Sequence, residues 1–306
     1  MENMQGTPIS LESRGVGAYV GLAVGDALGC TTEFLTPAEI REKHGLHESI
    51  CGGGWLRLKA GRVTDDTEMS LALGRAILEQ GGVEARAAAE AFSQWMRSKP
   101  VDIGNTVRRG IIHYRSTGQV EVPENEYDAG NGACMRSLPV ALRYWNVSEQ
   151  RLFEASRLQS HTTHHNALAD AGTECLLRML VAALHGAGKA TLQDMTADLV
   201  ARYPNYRYDR RRVENPSGFI VETLQVVFQA FFAQNSFETV LIDVVNRGGD
   251  ADTTGAIAGM LAGAYYGVAA IPPRWQRKLD PVVYRDCETQ ARALLALAAR
   301  EEEPEG

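Results

Sequence analysis

Apolar positions along this chain recur with a helical period nearly everywhere. The pattern is clearest over Glu68–Leu78, Ala85–Met96, Ala167–Leu184, Phe219–Phe232 and Tyr284–Ala299. The strict alternation that marks a half-buried strand is scarce. Helix start signals agree with this reading. Thr36-Pro37-Ala38-Glu39 has the form of a capping box with proline in the first turn, and Ser148, Thr191 and Ser236 are suitable N-caps. The pattern predicts an all-α fold, a single compact multi-helix domain over residues 1–300.

Two of the predicted helices carry glycine at every fourth position, at Gly17, Gly21, Gly25 and Gly29 and again at Gly255, Gly259, Gly263 and Gly267. Each series forms one smooth face. An interior helical glycine costs roughly 0.5–1 kcal/mol relative to alanine, so several in a row need an offsetting interaction, and close backbone approach is the obvious one. The expectation is two closely packed core helices, paired with each other unless each face receives bulky neighbours from elsewhere. Gly255–Ile271 has no charged side chain and resembles a membrane span. It is marginal in length, rich in Gly and Ala, and directly preceded by Asp250 and Asp252, so a buried central helix is the better reading.

Composition narrows the class without naming a function. No linker or low-complexity stretch interrupts the 306 residues, and the acidic tail Glu301–Gly306 is expected to fray. A net charge of -7 argues against general nucleic-acid binding, which needs clustered positive charge. The five cysteines are scattered and contain no Cys-x-x-Cys pair, as expected of reduced thiols used as small apolar residues. Met1–Leu11 has no apolar core and is not expected to be a secretory signal, which implies a cytoplasmic protein.

The irregular segments Ser49–Val63, Ser98–Asn105, Gln119–Arg136, Tyr203–Ser217 and Asn246–Asp252 carry most of the polar candidates, where binding groups usually sit. Thr64-Asp65-Asp66-Thr67 stands where a glycine-rich loop enters a helix. Acidic residues suit a helix start, so capping is one reading, but two adjacent aspartates exceed what a cap requires. Hard cations such as Mg2+ and Mn2+ take oxygen shells from carboxylates and hydroxyls. Asp250-Ala251-Asp252-Thr253-Thr254 repeats the composition, and D-x-D in extended chain would point both carboxylates the same way. The two clusters together favour a binuclear oxygen site over coincidence. Zinc is disfavoured, because no cluster combines Cys and His at ligand spacing.

Gly25-Asp26-Ala27-Leu28-Gly29 with Glu33, Thr64-Asp65-Asp66-Thr67, Asn131-Gly132-Ala133-Cys134-Met135-Arg136, Thr163-His164 and Gly249-Asp250-Ala251-Asp252-Thr253 form, in this order, a set that resembles the ADP-ribosylglycohydrolases. The resemblance runs from about Gly15 to about Leu297. It implies an all-helical fold with a metal cleft that holds two Mn2+ or Mg2+ ions, with Thr64, Asp65, Asp66, Asp250, Asp252 and Thr253 as ligands. Glu33 matches a family glutamate near the metals and reads as a ligand, a gate or a surface carboxylate. Asp102 matches the place of a catalytic carboxylate in arginine-directed members and otherwise reads as a turn aspartate. Asn105 would hydrogen-bond ribose or fix its loop.

Further substrate contacts follow from the same comparison. Gly130–Arg136 reads as a helix opening toward a diphosphate or as a simple turn, with Asn131, Gly132, Ala133 and Met135 as candidate contacts. His164 is the best placed of three close histidines, His161, His164 and His165, to meet phosphate or ribose; adventitious metal binding or helix-end contacts are the other readings. Phe219 reads as an adenine platform or as core packing. The resemblance is strongest to members that act in nitrogen fixation. It implies arginine-linked ADP-ribose on the nitrogenase iron protein as substrate, a PII-type signalling protein as partner, and an ammonium transporter that recruits the enzyme reversibly to the membrane. Hydrolysis of serine-linked or O-acetyl ADP-ribose, and non-catalytic sensing of ADP-ribose, are the alternatives.

Overall fold

A computed structural model of the protein describes residues 8–300; the expected fraying of 301–306 lies outside the described residues. The described chain folds as α1 (Leu11–Gly29), α2 (Pro37–His44), α3 (Asp65–Gln80), α4 (Ala85–Arg97), α5 (Asn105–Thr117), α6 (Gly132–Met135), α7 (Leu138–Arg143), α8 (Glu149–Ser160), α9 (Ala167–Leu184), α10 (Lys189–Arg202), α11 (Ile220–Ala233), α12 (Phe237–Val245), α13 (Ala251–Tyr266), α14 (Pro273–Gln276) and α15 (Pro281–Ala299). Extended pairing among the described residues is confined to the isolated bridges Gly53 to Leu58 and Gly130 to Phe219. The all-α expectation holds. Its boundaries hold too where the apolar period was strongest, as at Ala167–Leu184.

The capping box at Thr36 is present in full, and the Ser148 and Ser236 side chains accept from Arg151 N and Thr239 N. Thr191 does not cap. The helix starts earlier, at Lys189 after the extended Gly188, so Thr191 lies inside its first turn.

At the centre, α1 and α13 run antiparallel with their glycine faces in contact. A Cβ placed on Gly17, Gly21, Gly25 or Gly29 would fall 2.6, 2.3, 1.9 or 2.1 Å from the carbonyl oxygen of Gly263, Gly259, Gly255 or Ala251. The reverse holds for Gly255, Gly259 and Gly263, which face the carbonyls of Gly25, Gly21 and Gly17. Backbone against backbone at this range brings Cα–H groups to carbonyl oxygens, contacts worth about 0.5–1 kcal/mol each, which is the size of the glycine penalty they offset. The expected pairing is therefore found. Gly267, the C-cap of α13 at φ 78°, still meets Gly17, where an added Cβ would lie 2.7 Å from the Gly267 carbonyl carbon, and Ala251 extends the contact to Gly29 at the other end.

The apolar stretch Gly255–Ile271 divides between α13, buried from Ala251 to Ala264, and a short turn that follows. None of the described helices is long and apolar enough to cross a membrane. The pair is enclosed by α9, α11 and α12 against α13 and by α3 and α15 against α1. One contiguous apolar core runs from Val16 to Leu295. The antiparallel arrangement decides where chemistry can occur: it sets the C-terminal end of α1, with Asp26 and Glu33, beside the N-terminal end of α13, with Asp250 and Asp252.

Candidate active site

The first turn of α3 carries Asp65 and Asp66, and its N-cap Thr64 makes no side-chain capping bond. The free amides are satisfied from another helix. Asp26, fully buried in α1, accepts from Thr64 N at 3.0 and 3.1 Å, from Thr67 N at 3.2 Å and from Thr67 Oγ1 at 2.5 Å. An aspartate from α1 thus caps α3, and Asp65 and Asp66 are released from that task. This settles the capping alternative for the first cluster.

The second cluster converges differently from the extended D-x-D expectation. Asp250 is the N-cap of α13 and Asp252 lies in its first turn, so the two carboxylates meet through the bend at the helix start and not through strand geometry. Gly248 and Gly249, at φ 71° and 65°, make that bend and bring three loops together. A Cβ on Gly248 would strike Leu35 O at 1.9 Å, and one on Gly249 would strike Pro216 O at 2.1 Å. The clusters then meet: Thr253 Oγ1 lies 3.3 Å from Asp66 Oδ2, while Thr64 Oγ1 lies 3.1 Å from Asp66 Oδ2 and 3.5 Å from Asp252 Oδ2.

Above them opens a cleft of about 470 Å³. Of the residues expected from the sequence, Glu33, Asp65, Asp102, Asn105, Asn131, Gly132, Met135, His164, Asp250, Asp252 and Thr253 line it. Thr64 and Asp66 are buried behind this wall, and Ala133 is buried in α6, outside the cleft lining. Phe219 caps α11 at the rim, half-exposed, with Gly218 beside it in the lining. Carboxylate oxygens of Glu33, Asp102 and Asp252 lie within 4.8 Å of one another. Glu33 is buried, which removes its reading as a surface carboxylate.

Electrostatically the cleft is a concentration of negative charge. Burial pushes Asp26 up to about 7 and Glu33 and Asp65 up to about 8, and it raises Asp66, Asp250 and Asp252 as well. The neighbouring charges that add to these shifts are other carboxylates, such as Asp102 on Asp65 and Asp26 on Asp66. Asp66 Oδ1 is buried and has no hydrogen-bond partner. An orphaned buried carboxylate oxygen, surrounded by hydroxyls and further carboxylates, fits a hard divalent cation. Among the described residues His164 is the one imidazole in the cleft lining, and it lies across from the carboxylates, so the donor set around Asp66 is oxygen chemistry.

These shifts predict an unusual stability profile. A carboxyl whose pKa is raised in the folded state contributes stability that is full below its ordinary value and is lost as pH rises through the raised value. Metal-free protein should therefore lose thermal stability between pH 4 and about 8, the values to which Glu33 and Asp65 are raised. Divalent cations should reverse the loss, most strongly at the alkaline end. Melting curves with chelator and with Mn2+ at both ends of this range check it; a metal-free melting temperature that climbs with pH would contradict the assignment.

The opposite wall holds His164, buried, its Nδ1 2.8 Å from Thr163 Oγ1. Burial, with the Arg136 and Arg109 charges, pushes the imidazole down to about 3, so it is neutral near pH 7. Gly132 and Gly130 make room for this ring, since a Cβ there would lie 2.8 and 3.0 Å from it. The glycines of this segment thus accommodate the imidazole, and Gly130, Asn131, Gly132 and Met135 share the cleft lining with it. Asn131 Nδ2 donates to Asp250 Oδ2 at 2.6 Å and to Thr223 Oγ1 at 2.9 Å, tying this wall to the acidic one.

Three contributors had no role in the sequence reading. Asp26 entered the sequence reading within the Gly25–Gly29 motif, with no task assigned to its carboxylate. Trp55 donates from Nε1 to Glu33 Oε2 at 2.6 Å and sits 5.3 Å from Phe34, both aromatic rings lining the cleft while exposed to solvent. Arg136, fully buried over the Phe92 ring, donates to Gln159 O at 3.0 Å and Thr163 Oγ1 at 2.8 Å, which holds the turn that presents His164.

A family model described as ADP-ribosylglycohydrolase matches residues 7–304 of the chain. The ADP-ribosyl-[dinitrogen reductase] glycohydrolase of Rhodospirillum rubrum is 46% identical over 290 residues, covering 94% of this chain and 98% of the relative. The ADP-ribosylarginine hydrolase Tri1 of Pseudomonas putida (strain GB-1) is 34% identical, covering 89% of this chain and 76% of the relative. A solved structure described as an ADP-ribosylglycohydrolase-related protein complex superposes with a TM-score of 0.82 at 34% identity, over 94% of this chain and 99% of that one.

Proposed function

The chain belongs to the ADP-ribosylglycohydrolase family, and on that premise we propose that it hydrolyses the N-glycosidic bond between ADP-ribose and an arginine side chain of a target protein. The dinitrogen reductase named for the Rhodospirillum relative is the first target to test. The observation that carries this reading is the meeting of both acidic clusters in one cleft, where Asp66 Oδ1 is buried without a partner. The PII-type protein and the ammonium transporter rest on the resemblance alone.

Two Mn2+ or Mg2+ ions held by Thr64, Asp65, Asp66, Asp250, Asp252 and Thr253 would supply positive charge for binding the ribose hydroxyls and for lowering the pKa of water. The remaining work belongs to the chain. Cleavage breaks the C1''–N bond, whose electron pair leaves on the guanidine nitrogen, while a water oxygen bonds to C1'' through an oxocarbenium-like state. Negative charge from Asp102 favours that state, joined by that of Glu33 where bound cations would offset its raised pKa, and Asp102 takes the water proton and passes it to the departing guanidine. Trp55 holds Glu33 in place. Neutral His164, accepting at Nδ1 from the Thr163 hydroxyl, would donate from Nε2 to substrate oxygen. At the lip, the exposed Phe34 and Trp55 rings suit a cationic guanidinium.

Incubation with Mn2+ and proteins ADP-ribosylated on arginine or on serine tests the assignment. Release of ADP-ribose is expected from the arginine linkage, and Asp102→Ala should slow it by about 10²-fold or more, the usual scale for a general base. Release from the serine linkage with Asp102 dispensable would replace this reading with the O-linked one. No release from either would move the protein to the class of ADP-ribose sensors.

A further inference from the structure

Outside the acidic cleft, the turn that presents His164 carries two more imidazoles, His161 and His165, on its other side. Their rings stack with centroids 3.9 Å apart, and one carboxylate oxygen, Glu121 Oε1, lies 3.4 Å from His161 Nδ1 and 3.3 Å from His165 Nδ1. Charge-assisted hydrogen bonds are shorter, about 2.7–2.9 Å. The two separations instead match the edge of a tetrahedron, about 3.3 Å, around an ion bound at roughly 2.0–2.1 Å. We propose that Glu121, His161 and His165 form a second divalent-metal site, separate from the acidic cleft and suited to imidazole-binding ions such as Zn2+.

The surroundings of the three groups support ligation. His161 Nε2 lies 2.9 Å from Asp170 Oδ2, and a carboxylate behind a ligating imidazole is the usual orienting partner; with the ring donating there, the neutral imidazole has its Nδ1 lone pair on the side of Glu121. The two segments are already joined without a metal, since Val122 N donates to His161 O at 2.9 Å and Asn125 N donates to His165 O at 3.0 Å. Little backbone ordering is left for the ion to impose. The side chains of His161, His165 and Glu121 are 17%, 24% and 63% exposed, which gives an ion a path from solvent.

The Nδ1 of His165 sits 3.0 Å from Val122 O, which can only accept, so in the metal-free protein this nitrogen carries the ring proton. Ligation turns the ring off that carbonyl and moves the proton to Nε2 by way of solvent, so the ring binds as neutral imidazole. Imidazole with one carboxylate favours Zn2+, Co2+ and Ni2+ over Mg2+, whereas the all-oxygen cleft has the reverse preference. An ion here would clamp the segment leading into Gly130 and Asn131 onto the turn of His164.

The test is a titration of the full chain, saturated with Mg2+, with Co2+ as probe, read by visible absorption. One Co2+ per chain with a tetrahedral absorption band is expected, with the band unchanged in Asp66→Ala. The band should vanish in a His161→Gln, His165→Gln double variant and bind at least tenfold more weakly in His165→Gln alone, which leaves the His161 to Asp170 bond intact if the double variant fails to fold. No Co2+ bound beside Mg2+, a band that survives His165→Gln at full affinity, or a band lost in Asp66→Ala overturns the proposal.

Discussion

Asp66→Ala is expected to abolish stabilisation by divalent cations and to lower ADP-ribose release by at least about 10²-fold, the scale on which metal-site charge acts in hydrolysis. Asp66 is buried behind the cleft wall, reached by the hydroxyls of Thr64 and Thr253 from both clusters, with Oδ1 left unpaired. Its burial among Asp26, Asp65 and Asp250 raises its pKa, so its removal takes away repulsion in the metal-free state. The metal-free variant should consequently melt no lower than the metal-free wild type, and above it at alkaline pH. Calorimetry with and without Mn2+ separates these effects. A variant that still gains stability from Mn2+ would refute the ligand assignment, and one that simply fails to fold would point to a structural role.

The second large effect concerns the frame. Gly25→Ala should destabilise the protein by about 3 kcal/mol or more, although alanine is the better helix former by about 1 kcal/mol. The added Cβ would lie 1.9 Å from Gly255 O and 2.4 Å from Gly255 C, both main-chain atoms of the opposing helix that no rotamer change can move. Separating α1 from α13 to relieve the clash would also shift Asp26 and Asp252, so activity should fall with stability. Gly188→Ala, with nothing within 4 Å of the new atom, is the control and should cost less than about 1 kcal/mol as an N-cap change. Equal denaturation midpoints for the two variants would show that the close approach is not what the glycines serve.

The resemblance named the acidic clusters, Glu33, Asp102, Asn131 and His164 together, and the structure places all of these at one cleft. Physical reading of the residues went less far. Whether Asp65 and Asp66 capped their helix or faced a cation depended on Asp26, 38 residues before Thr64 in the chain. The purpose of Gly132 depended on where His164 came to rest, and the environment of Glu33 depended on Trp55. The stack of His161 on His165 was open to the sequence only as three nearby histidines; the oxygen that joins them comes from Glu121 in another segment.

By itself the sequence determined what depends on neighbours three or four residues away: the helices, the capping box at Thr36, the smooth glycine faces and the acidic composition of two helix starts. Those properties follow from backbone periodicity and local hydrogen bonding, which a short window contains. The tertiary structure alone decided that α1 and α13 run antiparallel at backbone contact and so bring Thr64 within reach of Asp252 across 188 residues. Packing selects such pairings because burying both faces and satisfying every buried amide is a condition on the whole chain, and no local window carries it.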